Sequence, residues 1–496
     1  GRPTKLVSLN GVITELTYDG FGRLTLLDRS GVAALSLSYT LVDDGAGRSH
    51  VELGSLDESG AWALAVKDRL GRTVRHDQLG FDGRTIRTDA TFDVLGRPST
   101  RTLAHYVGDP IFGDSWGYDN LGRTVTHKRA NGTLETWSHD TLTRTYADAL
   151  GRTTVTVINA DANPVSVRDP LGATTTYTYG PFSAPRTITD AAGNVTKVSS
   201  DARGRVLALS DPDTGDRSFT YDGWGRRVGE RDAMGRSTTT AYDLLDRVSE
   251  LTTVDGLSKF IYDGAGGTGG VSAIGQMTMA VGPDGAAERY AYDADGRLSE
   301  VTTTADGLNA VQTYGYDTFG RLTTRSLKPS QGDEFAVRYG YAPDGSLATV
   351  QEAGATSPLY SVQGRNALGQ TTVEAFRGGT VTTYGIDGRD GRTDAIVTTN
   401  ALLATPTLMS LQYTYDDEGN VVQRSDLVTG VAESFKYDKA DRLVSIVPCK
   451  GSTCAAAETL KYDDLGNILS KWNVGDYTYD GVGQLTGLTL PNGATL

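Results

Sequence analysis

The sequence predicts an all-β protein: tandem β-hairpins, each restating one turn, wound into a continuous spiralling sheet. Three observations predict it. An Asp-x-x-Gly element, usually followed by Arg or another polar residue, recurs along the 496-residue chain. Runs rich in Thr, Val and Tyr separate its copies, as in "DPLGATTTYTYG" from Asp169 to Gly180. Helix-forming stretches are nearly missing, and the best of them, "CAAAETLKYDD", is one or two turns long.

The turn comes first. Its aspartates include Asp148, Asp169, Asp190, Asp201, Asp222, Asp232, Asp243 and Asp263, which give a unit of about 21 residues with a half-unit near 10 or 11. A fixed period in this range is the mark of a repeat architecture. Asp at the first position of a type I turn accepts hydrogen bonds from the backbone ahead of it. Gly three residues later tolerates the left-handed conformation that closes a hairpin with a bulge. In its fullest form the element reads Tyr-Asp-x-x-Gly-Arg. It is complete at Tyr18, Asp19, Gly22 and Arg23; Tyr118, Asp119, Gly122 and Arg123; Tyr221, Asp222, Gly225 and Arg226; Tyr292, Asp293, Gly296 and Arg297; and Tyr316, Asp317, Gly320 and Arg321.

The flanks are the strands. "RTTVTVINA" (Arg152 to Ala160) and "ATTTYTYG" (Ala173 to Gly180) are β-branched and aromatic with partial alternation, the composition of a pleated, half-buried surface. Tyr before Asp lies across the pleat with its hydroxyl able to reach water or backbone. Arg after Gly opens the returning strand, close enough to pair with the turn carboxylate. Each unit is thus a hairpin of two strands near ten residues each. Hairpins pairing side by side give one winding sheet stabilised by neighbour contacts, which also covers edges that would otherwise aggregate. A propeller is the alternative, but its blades need about 40 to 50 residues. The expectation is a single array over residues 1–496, with looser repeats at 24–117 and 345–411.

Composition limits the function. A net charge of −14 argues against a nucleic-acid backbone as partner, which needs a basic stripe. No run of eighteen apolar residues exists to span a membrane as a helix. The opening "GRPTKLVSLNG" has no Met, basic segment or apolar segment of a secretory signal, and it begins at the Gly-Arg half of the repeat; the expectation is a piece of a longer chain. Cys449 and Cys454 in "PCKGSTC" are too few for a disulfide framework; a local loop disulfide and two free thiols are the two readings.

The tandem Tyr-Asp-x-x-Gly-Arg copies resemble the YD-repeat, or Rhs-repeat, family: bacterial Rhs polymorphic toxins, the BC components of Tc toxins, and teneurins. "NALGQTTVEAFRGGTVTTYGIDGRDGR" (Asn366 to Arg392), "LQYTYDDEGNVVQRSD" (Leu411 to Asp426) and "ESFKYDKADRLVSI" (Glu433 to Ile446) are similar to the core of the bacterial toxins. The resemblance implies a hollow β-shell, non-catalytic itself, which encloses and helps deliver a C-terminal toxin domain. It implies a secreted or cell-surface location, with that toxin domain and secretion or surface-delivery proteins as partners. The family places its toxin after a cleavage element built around a DPxGL-like sequence. "DPLGA" (Asp169 to Ala173) shares the letters but sits among further repeats and is read as an ordinary turn. The chain stops at "LTLPNGATL", still repeat-like, without cleavage element or toxin.

Site chemistry is sparse. His50, His76, His105, His127 and His139 show no HxxxH or HExxH spacing, and neither a GxSxG elbow nor a phosphate loop occurs. "DPDTGD" (Asp211 to Asp216) and "DADG" (Asp293 to Gly296) lack the glutamate of a calcium loop and read as turns. The expectation is no catalytic residue, no cofactor and no metal. Trp116, Trp137, Trp224 and Trp472 on a β-surface allow the other class of function, a cell-surface or wall-associated protein binding carbohydrate or partner cells. Packing within the repeat is their plainer role.

Overall fold

The computed structural model describes residues 1–43, 49–264, 271–480 and 484–495. Residues 44–48, part of the looser stretch 24–117, lie outside the described residues, as do 265–270, 481–483 and 496. The described residues form 45 strands joined in one antiparallel sheet, the continuous all-β array that the hairpin spacing predicts. The helical content is two 3-10 turns, at Pro181–Ser183 and Val271–Ala273.

Contacts group the chain into two units. Residues 1–113, 240–384 and 399–406 form the first, and residues 114–239, 385–398 and 407–496 the second. In the first, strands adjacent in sequence pair from Lys5–Val7 to Thr85–Phe92. They pair again from Val248–Thr253 onward, as Leu308–Tyr316 does with Leu322–Pro329. The second follows the same rule, as Gly215–Tyr221 shows by pairing with Ala208–Asp211 behind it and Arg227–Arg231 ahead. A register shift lies one residue pair beyond the turn at each complete motif copy, for example where Thr220 faces Gly229 and Tyr221 faces Arg227, leaving Val228 as the extra residue. That extra residue bulges the returning strand just past the turn that the left-handed glycine closes.

The core is thin. Among the described residues the buried apolar side chains are few, Val12, Ile86, Tyr106 and Val301 among them, and no large side chain is fully buried. Most strand residues are half-buried on both faces, which suits a sheet of Thr, Ser and Tyr better than one of Leu and Phe. Stability is then carried by neighbour-to-neighbour pairing, as in other repeat proteins.

The helix-forming letters of "CAAAETLKYDD" make extended structure instead. Thr453–Cys454 pairs with Cys449 and Lys450, and Glu458–Tyr462 pairs with Ser445 and Ile446. A segment of one or two turns cannot pay for helix nucleation in isolation, whereas strand partners lie on both sides of it.

Candidate functional site

The chemistry-bearing groups cluster at the hairpin turns, so the site is built from one turn upward. At Asp222, one carboxylate oxygen (Oδ1) accepts the amides of Trp224 at 3.0 Å and Arg226 at 2.9 Å. The other (Oδ2) accepts Nε of Arg226 at 2.7 Å. The backbone closes around them, with the Gly225 amide donating to the Asp222 carbonyl and the Asp222 amide to the Arg226 carbonyl. The copies at Asp19, Asp119, Asp293 and Asp317 repeat this geometry, each Arg Nε lying 2.7–2.8 Å from its carboxylate. Gly22, Gly122, Gly225, Gly296 and Gly320 have φ of 74°, 82°, 91°, 76° and 75°. Bonds to the ionised form hold the carboxyls of Asp19, Asp119, Asp222 and Asp317 low. Asp119 lies below the ordinary value chiefly because the Arg123 amide donates to it; burial opposes this, and the Arg123 guanidinium and the Leu121 amide add to the lowering.

Replacing Gly225 by Val should destabilise its hairpin by about 1 kcal/mol or more, because a β-branched residue is strained in that region. Hydrogen exchange at the Trp224 and Arg226 amides checks this, and unchanged protection would refute it.

The tyrosines and arginines act between turns rather than within one. Tyr221 donates to the Val206 carbonyl at 2.8 Å, which follows the Arg205 of the preceding turn on the same rim. Arg205 itself lies over the Tyr221 ring, 4.8 Å from its centroid. Tyr18, Tyr292 and Tyr316 donate in the same way to Pro3, Met277 and Leu298. Arg297 covers Tyr316 and so joins two of the motif copies, at 4.7 Å. Arg321 over Tyr341 and Arg442 over Tyr462 continue the pattern. Each such rung combines a cation–π contact worth about 0.5–1 kcal/mol at exposed positions with one hydrogen bond. Sequence reasoning placed the Arg against its own Asp but missed the ring it covers. The available signal was the recurrence of Tyr one turn further along the same rim.

Other turns meet partners far along the chain. In the first unit Ser30 donates to Asp295, and Arg297 to the Gly31 carbonyl at 2.8 Å. In the second, Ala149 donates to Glu418 at 2.6 Å, and Arg152 grips Asp441 with two bonds of 2.7 and 3.0 Å. Asp441 stands where the motif has Gly, with φ of 58°, and spends its side chain on Arg152 and Asn420.

The second unit also holds a compact polar cluster. Glu135, 7% exposed, accepts hydrogen bonds from His127 at 2.8 Å, from Tyr146 at 2.7 Å and from Arg129. Trp116 stacks on His127 at 5.1 Å, and Asp114 lies 3.3 Å from its other nitrogen. His139 takes the place of a rung tyrosine, its Nε2 3.1 Å from the Thr124 carbonyl. His105 is buried with Nδ1 3.0 Å from the Leu103 carbonyl, and His50 lies beside Glu52. Among the described residues no group of His, Cys, Asp or Glu is arranged to hold a metal ion. Asp169 and Asp211 cap ordinary turns. Cys449 and Cys454 are bonded to each other across paired strands. Trp224 is 86% exposed at its turn tip.

With this geometry in view, residues 159–195, 201–233 and 292–329 match the model of the RHS Repeat family. These three stretches are RHS repeats. The chain is 30% identical over 242 residues to the double-stranded DNA deaminase toxin A of Burkholderia cenocepacia strain H111, a match over 44% of this chain and 14% of that protein. In three dimensions the array is similar to TcdB2–TccC3 crystallised without its hypervariable C-terminal region. The TM-score is 0.74 at 13% identity, over 98% of this chain and 36% of that one. The Tc holotoxin pore of Photorhabdus luminescens gives the same score over 35% of its chain. The chain therefore spans about a third of the solved chains' length, and at this identity the likeness is one of fold.

Proposed function

We propose that residues 1–496 act as one array, a non-catalytic scaffold within a longer secreted or cell-surface toxin. It forms part of a β-shell that encloses a C-terminal toxin domain and helps deliver it. One observation carries the reading: the fold matches that of TcdB2–TccC3 over nearly the whole length of this chain. The relative named as a DNA deaminase toxin supports a toxic cargo in the same family. The sheet's own character supports it too. Strands half-buried on both faces and rich in Thr and Tyr suit a wall with a partly wet space on one side, where a second apolar layer would be out of place.

The test compares the full-length parent with a version ending at Leu496, each exposed to protease and then assayed for killing of a target cell. A protected C-terminal domain and killing by the parent alone are expected. Equal killing by the shortened chain, or a parent with nothing beyond the repeats, would overturn the proposal. The second reading, a surface protein binding carbohydrate, draws on the exposed Trp224. A wall anchor in place of a toxin domain downstream would favour it.

A further inference from the structure

At one rung of the arginine–tyrosine ladder both residues are absent, and a groove stands in its place. Within the second unit, the turn before Asp201 reads Tyr179-Gly180-Pro181-Phe182-Ser183-Ala184, so the motif's Asp, Gly and Arg are Gly180, Ser183 and Ala184. At the next turn on that rim, the tyrosine position is Ser200. Both halves of this rung, the covering Arg and the covered Tyr, are therefore replaced by small residues. The following rung, Arg205 over Tyr221, is intact.

Ala184 and Ser200 line an open groove of about 940 Å³ whose floor is apolar, formed by Ile188, Val198, Leu209 and Phe219. That volume lies within the range of small-molecule sites, which are mostly apolar with a few placed polar groups. Phe182 stands at its margin, 94% exposed. Phe182 and Ser183 both have φ of 59°, a conformation that strains a bulky L-residue and is found where surrounding structure enforces it. Here Asn163 donates to the Ser183 hydroxyl at 2.7 Å, and the Gly180 amide to the Ala184 carbonyl at 2.8 Å. The strain thus holds an aromatic ring out beside an apolar cleft. The lining carries two guanidinium groups, Arg203 and Arg227, and no carboxylate of its own, although Arg227 also lies 3.4 Å from Glu230 and over the Phe219 ring, in a chain whose net charge is −14.

We propose that this groove binds a small planar aromatic anion, which occupies the place of the absent rung. A flat ring system fits where a tyrosine ring and its covering guanidinium would lie, against the aliphatic floor and beside Phe182 and Phe219. Its negative charge faces Arg203 and Arg227. A cation is disfavoured at the same spot by those two groups, and a sugar would find too few hydrogen-bonding partners on an aliphatic floor.

The test uses the whole chain and 8-anilinonaphthalene-1-sulfonate as the fluorescent probe. Saturable binding of one molecule per chain is expected, displaced by naphthalene-2-sulfonate. Ala184→Arg combined with Ser200→Tyr restores the rung with the repeat's own residues. It should weaken probe binding at least tenfold while keeping the β-sheet circular dichroism of the parent. Should that variant fail to fold, Phe182→Gly relieves the strain and removes the ring, and it should weaken binding several-fold. Arg203→Gln should weaken the sulfonate but leave the neutral N-phenyl-1-naphthylamine unaffected. Binding unchanged by every one of these substitutions would place the probe elsewhere and overturn the proposal. Equal affinity for the neutral and anionic probes would overturn the assignment of charge.

Discussion

Replacing Glu135 by alanine is expected to destabilise the second unit by roughly 3 kcal/mol, the scale seen when one partner of a buried charge cluster is removed. Glu135 is 7% exposed and serves three donors, His127, Arg129 and Tyr146. Alanine would leave all three facing each other in a confined space with an acceptor gone, and each unmet buried donor carries its own desolvation cost. Urea unfolding, followed by the fluorescence of Trp116 and Trp137 beside the cluster, measures the effect. A change below about 1 kcal/mol would show that water replaces the carboxylate freely. The pH dependence follows from the same contacts. Burial alone would raise the Glu135 carboxyl, but hydrogen bonds from Tyr146, His127 and Arg129 outweigh it and hold the group below its ordinary value of 4.5. A carboxyl lowered by folding stabilises the native state at pH above the unfolded value. That contribution should therefore be complete above about pH 5 and fade as pH falls through and below 4.5. In the alanine variant this part of the acid sensitivity should vanish.

Asp317→Ala is expected to cost roughly 2 kcal/mol at its own hairpin, with little effect on distant repeats. The carboxylate accepts the amides of Phe319 and Arg321, both at 2.9 Å, and Nε of Arg321 at 2.8 Å. Hydrogen bonds to charged groups exceed the usual net worth of about 1 kcal/mol, although water at the turn recovers part of the loss. The effect reaches one rung further. Arg321 is aimed over Tyr341 at 4.7 Å, while Tyr341 donates to the Leu322 carbonyl at 2.6 Å. Freed from Asp317, the guanidinium loses the anchor that points it at that ring. Hydrogen exchange should quicken at Phe319 and Arg321 and, to a smaller degree, at Leu322. Loss of protection spread evenly over both units would contradict the nearest-neighbour character of the array.

The turns were legible in the sequence because their physics is local. Asp caps amides two and four residues on, and Gly takes a conformation other residues resist. Both demands fall within one short window, so they recur as letters. The strands were legible for a related reason, since their β-branched alternation is bounded by those turns. What could not be read was whatever depends on residues meeting across hairpins. Arg205 over Tyr221 joins two successive turns of one rim, and Arg152 with Asp441 joins turns 289 residues apart. The Glu135 cluster was invisible as well, because His127, Arg129 and Glu135 look like ordinary polar strand letters until pairing stacks their side chains. Asp441 shows the limit most clearly. By motif it is a lapse from Gly, yet in the fold the substitution supplies the carboxylate that Arg152 needs.

Those long-distance turn contacts bear on how such a chain can grow. An open solenoid accepts an extra repeat anywhere, because each repeat answers only to its neighbours. In the second unit Ala149 and Arg152 must find Glu418 and Asp441, at separations of 269 and 289 residues. Duplicating a single hairpin pair between them would bring a different turn opposite each, with its own capping residue in place of the matching carboxylate. Copy number between the paired turns is thus arithmetically fixed. Lengthening must occur outside that interval, or by changes that re-match every contact at once.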